Sequence, residues 1–355
     1  MKPSNHIGSS VYDGIISWNN VPAEEWKSHL HMASEYARTG AFWSDRFRNK
    51  SVVLVFMNPS LRTRCSMELA AHQLGAKVTT LSPGKGMWSI SFEDGAVMDG
   101  LEAEHVKEAA GVLGRYYDAI GVRVFATMTD YRKDRNDQLI KTFASASDVP
   151  LINLESAWAH PCQALADAAT LNNHFAGETV GKRFVLSWAY HPKALPMAVP
   201  NSALMMAARL GMDVVVARPE THALDRQVVQ DAALIAAAAG GSVTETNSYT
   251  DAAAGADVIY AKAWGGPMVY TDPDAEAAAR AESKDWRVTD DWMSATNDGV
   301  FMHCLPVRRN VVVDDSVLDG PASLHLTQAE NRLHAQKAIL EHFWTPKARD
   351  DVRYV

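Results

Sequence analysis

The sequence predicts an α/β fold of two doubly wound domains, each with a parallel β-sheet flanked by helices. Three observations lead there. Short β-rich runs alternate with helical stretches along the chain, the pattern of parallel sheets covered by crossover helices. Several of those helical stretches stop at a glycine, as at Gly75 and Gly211, where a left-handed cap is easiest to form. Finally, 355 residues of which 47% are hydrophobic can fill two cores more readily than one.

Taken in chain order, a polar end leads into a helix over 22–38. The apolar run from Val52 to Met57 reads as a buried strand over 51–57, and a helix over 63–74 follows it. A strand over 77–81 and a helix over 104–116 come next, then a strand over 119–124 and a helix over 136–146. Strand 150–153 precedes helix 161–175, which begins near His160 and is expected to link the two halves. In the second half the strands fall at 184–189, 213–217, 257–261 and 300–304. Its helices fall at 201–210, 224–239 and 287–296, and Ala232 to Ala239 form ordinary helix interior. A last helix over 328–343 carries Arg332 and should return toward the first half. The expected domains are therefore 1–158, completed by 327–355, and 159–326. No repeat or disordered linker interrupts them.

Composition excludes several classes of function. The formal charge of −8 argues against a general nucleic-acid binder, which needs a broad excess of Lys and Arg. Any anion site must be local. The start, Met1 to His6, lacks the apolar core of a signal peptide, and no apolar run approaches membrane-spanning length. A cytoplasmic protein without membrane contact is expected. Cys65, Cys162 and Cys304 are odd in number and far apart, which suits reduced thiols better than a disulfide framework. No CxxC or HxxxH pair suggests a metal. No GxGxxG opens a helix after a strand, which weighs against a nicotinamide dehydrogenase.

The segment "NPSLRTRC", directly behind strand 51–57, carries the chemistry. Ligands of open α/β sheets sit beyond the carboxyl ends of the strands, where a helix start offers free N–H groups to an anion. Ser60 and Thr63 can add hydroxyl hydrogen bonds and Arg62 a bidentate fork, a set suited to a phosphoryl group. A helix cap with solvated arginines is the competing explanation. Further along, "GVRVF" places Arg123 at the end of another strand, and "HPCQ" puts His160 and Gln163 at a helix start. At successive strand ends of one sheet these groups could converge on one ligand.

Ser60-Leu61-Arg62-Thr63-Arg64, then His160-Pro161-Cys162-Gln163, then His303-Cys304-Leu305-Pro306, together resemble the aspartate and ornithine carbamoyltransferase superfamily over nearly the whole chain. The resemblance implies two α/β domains with the active site in the cleft between them, and homotrimers that share sites. It implies a phosphate site at Ser60, Leu61, Arg62 and Thr63, joined by Arg123, His160, Pro161, Cys162, Gln163 and Arg332. Trp88, in "PGKGMW", resembles the residue that reaches in from a neighbouring subunit. Arg62, Thr63, Arg123 and His160 would polarise the carbamoyl carbonyl, with His160 as the donor to its oxygen. Carbonyls at Cys304 and Leu305 would orient the carbamoyl amino group, so the Cys304 thiol need not be a nucleophile. No metal or organic cofactor is implied.

The resemblance also speaks to the amine acceptor. Ordinary ornithine enzymes of the family carry an aspartate and a Ser-Met-Gly segment where this chain reads "DVIYAKAWGG", with Lys262 in place of the carboxylate. A cation there repels an α-ammonium and suits an amide or carboxylate, as in the branch that acts on Nα-acylated ornithines. In that branch Glu155, His191, Lys262 and Arg308 match substrate-contacting positions. Acetyl-specific members bring a glutamate into the acyl pocket from a neighbouring subunit, and they have a modifiable lysine after "RRN". Here Ala103 and Val312 stand at those places. Two like charges about 5 Å apart in an effective dielectric of about 20 repel by roughly 3 kcal/mol, about two decades in affinity. Their absence favours a succinyl tail, so N-succinyl-L-ornithine is the expected acceptor and N-acetyl-L-ornithine the rival. A non-catalytic sensor of carbamoyl phosphate on the same fold is the competitor of another class.

Overall fold

The computed structural model describes residues 14–345 apart from 41, 42 and 86. Residues 1–13 of the expected first domain and 346–355 of its expected C-terminal completion lie outside the described residues. Among the described residues there are twelve strands, in chain order β1 (Gly14–Ile15), β2 (Ser51–Phe56), β3 (Lys77–Leu81), β4 (Ser89–Ser91), β5 (Glu102–His105), β6 (Ala119–Arg123), β7 (Leu151–Glu155), β8 (Arg183–Trp188), β9 (Asp213–Ala217), β10 (Ser242–Thr246), β11 (Val258–Lys262) and β12 (Val300–Met302). They form two five-stranded parallel sheets, ordered β1-β7-β6-β2-β3 and β10-β9-β8-β11-β12, and a two-stranded pair of β4 with β5. Two α/β domains with parallel sheets flanked by helices are what the sequence predicts.

The central strands are apolar on both faces because helices cover both faces. In β2 the side chains alternate between two cores: Val52, Leu54 and Phe56 face one cluster, and Val53 and Val55 the other. The first cluster runs on through the helix Pro161–His174 to Phe184, Leu186 and Trp188 of the second sheet. That helix opens with proline at its first position, where the missing N–H costs nothing. It is buried from Pro161 to Leu171 and packs on the first helix Ala23–Thr39, on Ala198–Arg209 and on the last helix His325–Trp344. The last helix in turn packs on Ala23–Thr39 and on Arg62–Gln73, so the chain does return to its first half.

Differences from the sequence reading have local causes. The helix expected at 287–296 shrinks to Asp290–Ser294, because Val288 hydrogen-bonds across to the 312–314 segment. Strand β10 is missed because Ser242, Thr244 and Glu245 are exposed on a sheet edge and give no apolar run. The helix Pro273–Glu282 is also missed, although Asp272 caps it and proline opens it.

Both large sheets reverse their winding once. In the first sheet the reversal falls between β6 and β2, and in the second between β8 and β11. Clefts open at the carboxyl ends of strands at such points, and the site lies there.

Candidate active site

The loop leaving β2 turns at Ser60, whose Oγ accepts from the backbone N–H of Thr63 at 3.2 Å and caps the helix Arg62–Gln73. The first-turn N–H groups and the positive end of the helix dipole thus face the mouth of the reversal. Thr63 is buried, and its Oγ1 accepts from Arg332 Nη2 at 3.0 Å. Arg332 also donates through Nη1 to Gln163 Oε1 at 2.6 Å. One guanidinium therefore joins the β2 loop, the start of the linking helix and the last helix.

Asp167 holds this arrangement from behind. It accepts from Gln163 Nε2 at 2.7 Å, from Gln328 Nε2 at 2.7 Å and from the Tyr260 hydroxyl at 2.9 Å. The first of these turns the Gln163 carbonyl toward Arg332, since an amide cannot present its oxygen and its NH₂ in the same direction. Gln328 in turn accepts the backbone N–H of His303 at 2.9 Å. Burial pushes the Asp167 carboxyl up to about 6 against the lowering effect of its three donors.

Arg123, the last residue of β6, is buried and pairs with the Glu155 carboxylate at the end of β7, its guanidinium lying 4.4 Å over the Phe125 ring. His160 Nε2 lies 3.5 Å from Glu155. Burial first, and then Arg332, Arg123 and Lys262, hold the His160 imidazole well below its ordinary value. It is neutral at pH 7, so its contact with Glu155 is not an ion pair, and its one ring N–H can sit on Nδ1, which has no protein partner. Glu155 and Leu305 have φ of 148° and 55°, a region that residues with a Cβ enter at a cost of order 1–3 kcal/mol and most often at functional sites.

From the second sheet come His191, just past β8, and Lys262, the last residue of β11. Arg308 Nε donates to His191 Nε2 at 3.0 Å, while His191 Nδ1 lies 2.8 Å from the Lys193 carbonyl. The Lys193 N–H also approaches Nδ1, at 3.0 Å, but the Arg308 N–H needs a lone pair on Nε2, and this places the His191 proton on Nδ1. Burial, and then Arg308, Lys262 and Arg280, lower this imidazole. Burial also raises the Cys304 thiol, which removes the thiolate that nucleophilic attack would need.

Together these groups surround a cavity of about 770 Å³. Arg62, Arg64, Arg123, Arg332, Lys85 and Lys262 line it, and Glu155 is the one carboxylate among its lining residues. Arg123 Nε, His160 Nδ1 and Arg332 Nε are buried and have no hydrogen-bond partner in the protein. Other buried polar atoms of the chain are unpaired as well, but these three belong to residues that line the cavity, where a ligand could pair with them. The chain is acidic overall, with a charge of −8, but its cleft is cationic. A second cavity of about 850 Å³ beside Tyr249 and Trp292 mixes Lys284 and Arg287 with Asp285 and Asp291 and concentrates no one sign of charge.

Of the residues singled out in the sequence, Ser60, Leu61, Arg62, Thr63, Arg123, Glu155, His160, Gln163, His191, Lys262, Cys304, Leu305, Val312 and Arg332 line this cavity. Arg308 stands behind it, bonded to His191. Cys162 is fully buried with its thiol toward the Asn153 carbonyl, and Pro161 is buried with its carbonyl taken by Trp18. Neither can touch a ligand in the cavity through those groups. Trp88 is 58% exposed and donates to Glu104, and it lies with Ala103 outside the cavity of its own chain. Asp167, Tyr260 and Gln328 escaped the sequence reading. Asp167 alone had a signal there, four residues beyond Gln163 on one helix face.

Fold and site define an α/β protein with a cationic cleft, of a charge suited to a small anion, at the carboxyl ends of two parallel sheets. The carbamoyl-P binding domain model of aspartate/ornithine carbamoyltransferase matches residues 14–173, and the Asp/Orn binding domain model matches residues 197–343. The chain belongs to the aspartate/ornithine carbamoyltransferase family, in its N-acylornithine branch. It is 48% identical to the N-acetylornithine carbamoyltransferase of Xanthomonas campestris pv. campestris over 82% of this chain and 87% of that one. It is 36% identical to the N-succinylornithine carbamoyltransferase of Bacteroides thetaiotaomicron over 89% and 94%. Among solved structures, it superposes with a TM-score of 0.90 and 44% identity on an N-acetyl-L-ornithine transcarbamylase variant, covering 93% of this chain and 99% of that one. That variant has one glutamate replaced by alanine and is complexed with carbamyl phosphate and N-succinyl-L-norvaline.

Proposed function

We propose that this protein moves the carbamoyl group of carbamoyl phosphate to the δ-amine of an Nα-acylated L-ornithine. The observation that carries the proposal is the convergence of Arg123, His160 and Arg332, each with a buried polar atom without a partner, on the capped helix start at Ser60. In this reading Ser60, Leu61 and Thr63, the Arg62, Arg123 and Arg332 guanidiniums, and the first-turn N–H groups hold the phosphate. Neutral His160 donates to the carbamoyl oxygen as negative charge grows there, with Arg62 and Arg123 stabilising that charge. The Cys304 and Leu305 carbonyls and Gln163 orient the carbamoyl amino group. Lys262, His191 and Arg308 receive the acylated end of the acceptor. Phosphate leaves, and it is the base within reach of the attacking amine's proton.

For the acyl group, N-acetyl-L-ornithine is the first reading, because relatedness to the acetyl enzyme exceeds that to the succinyl enzyme, 48% against 36%. This reverses the order expected from the pocket residues alone. N-succinyl-L-ornithine stays as a second reading on a specific observation. Ala103 stands where the resemblance puts the acetyl enzymes' glutamate, and a variant of such an enzyme with a glutamate replaced by alanine is complexed with a succinyl compound. Steady-state assays with each acceptor discriminate: a tenfold preference either way decides the acyl group, and no citrulline derivative from either supports the sensor. If succinylornithine is accepted, Ala103→Glu should lower the succinyl-to-acetyl ratio by about two decades.

Trp88 and Ala103 lie outside their own chain's cavity, which supports a homotrimer in which each is delivered to a neighbour's site. Mixing an inactive His160→Gln chain with an inactive Trp88→Ala chain should then restore part of the activity. A mixture as inactive as its components would refute shared sites.

A further inference from the structure

We propose that Glu25, His29 and His342 form a site for a divalent transition-metal ion, zinc by its donor set, that clips the first helix to the last. Among the described residues this is the one group of at least three such side chains placed to hold an ion, and its ligating atoms all lie within 4.8 Å of one another. Glu25 and His29 are four residues apart on Ala23–Thr39 and so share a face. His342 comes from His325–Trp344.

The geometry is close to what zinc asks. Glu25 Oε1 and His342 Nε2 are 3.5 Å apart, near the edge of roughly 3.3 Å of a tetrahedron with bonds of about 2.0–2.1 Å. His29 Nδ1 lies 2.8 Å from the Glu25 backbone carbonyl. A carbonyl only accepts, so this contact places the proton on Nδ1, the tautomer in which Nε2 is the ligating nitrogen and Nδ1–H makes the second contact that metal-binding histidines ordinarily make. The two imidazole rings lie 4.2 Å apart, tilted by 41°, so seating an ion between their nitrogens requires the half-buried His342 ring to turn. Two neutral imidazoles and one carboxylate, with water in the fourth position, match zinc's preferences.

The surroundings fit as well. His29 is 1% exposed and meets the edge of Trp18 at 5.1 Å, a dry wall behind the ion. Glu25 and His342 side chains are 39% and 20% exposed, which gives the ion a way in. None of the three lines the catalytic cavity. The clip would still bear on it, since Arg332 shares the last helix with His342, and Trp18 donates to the Pro161 carbonyl at 2.8 Å.

The test uses full-length protein dialysed against chelator, then titrated with Zn²⁺ by calorimetry and assayed for bound metal. One equivalent per chain and a raised melting temperature are expected. His342→Ala, at a half-buried position, and Glu25→Gln should each weaken that binding by about 10–100-fold while circular dichroism and the activity of the metal-free enzyme stay as in the wild type. Binding unchanged in both variants would place the ion elsewhere and overturn the proposal. Absence of binding in wild type would show an ordinary stacked histidine pair and overturn it equally.

Discussion

At the residue scale, His160 joins two properties that rarely coincide: complete burial beside three cations, and a ring nitrogen without a protein partner. A neutral imidazole can donate to a carbonyl oxygen without adding a fourth positive charge. His160→Gln should therefore lower kcat by about 10²–10³ with a much smaller change in KM, the mark of an interaction that strengthens in the transition state. Pre-steady-state and steady-state assays check this, and an equal loss in binding would show that His160 only holds substrate. This residue was legible in the sequence because histidine beside proline at a helix start is a local signal. Asp167 was legible only in its spacing from Gln163, since nothing in "ALADAA" reveals that Gln328 and Tyr260 also meet there. Such networks exist only after folding.

At the element scale, the helix Pro161–His174 serves both sheets at once. Its first turn offers His160 and Gln163 to the cleft, and its second turn anchors them through Asp167. Asp167→Asn keeps the shape but exchanges an acceptor for a donor, so one of the three incoming donors is left facing another. Stability should fall by about 1–3 kcal/mol, and KM for carbamoyl phosphate should rise about tenfold as Gln163 loses its orientation toward Arg332. Urea unfolding and kinetics on one preparation separate the effects; a stability loss with unchanged KM would make Asp167 a packing residue only. The helices and central strands were readable because apolar runs and glycine stops are local. Edge strand β10 and the short β4 and β5 were not, since partly solvated strands lack the continuous apolar run that marks buried ones.

At the scale of the whole molecule, buried titratable groups set the response to acid. His160, His303 and His334 are all held below the ordinary histidine value chiefly by burial, the last at about 4. The unfolded chain takes up these protons first, below about pH 6.5, so their effect is a loss of stability as pH falls through that range. Asp137 and Asp167 act in the opposite sense. Each is raised to about 6, so the folded state takes up their protons first, and they favour folding as pH drops from 6 toward 4. The melting temperature should thus fall from pH 7.5 to 6 and go on falling below, less steeply than the histidines alone would make it, and Asp137→Asn should steepen the descent below 6. Scanning calorimetry across that range checks it, and a curve flat from 7.5 to 6 would contradict the assignment.

Arg332 reaches Thr63 and Gln163 from a helix that packs against the first helix of the chain. Its place after the strands of both sheets has a consequence for biogenesis. A chain emerging from the ribosome must expose the apolar face awaiting His325–Trp344 until that helix has itself emerged, because domains fold only when their contacts have been made. The amino-terminal half is thus no independent bead. A message truncated shortly before codon 325 should yield aggregate, not a half-enzyme that still holds phosphate.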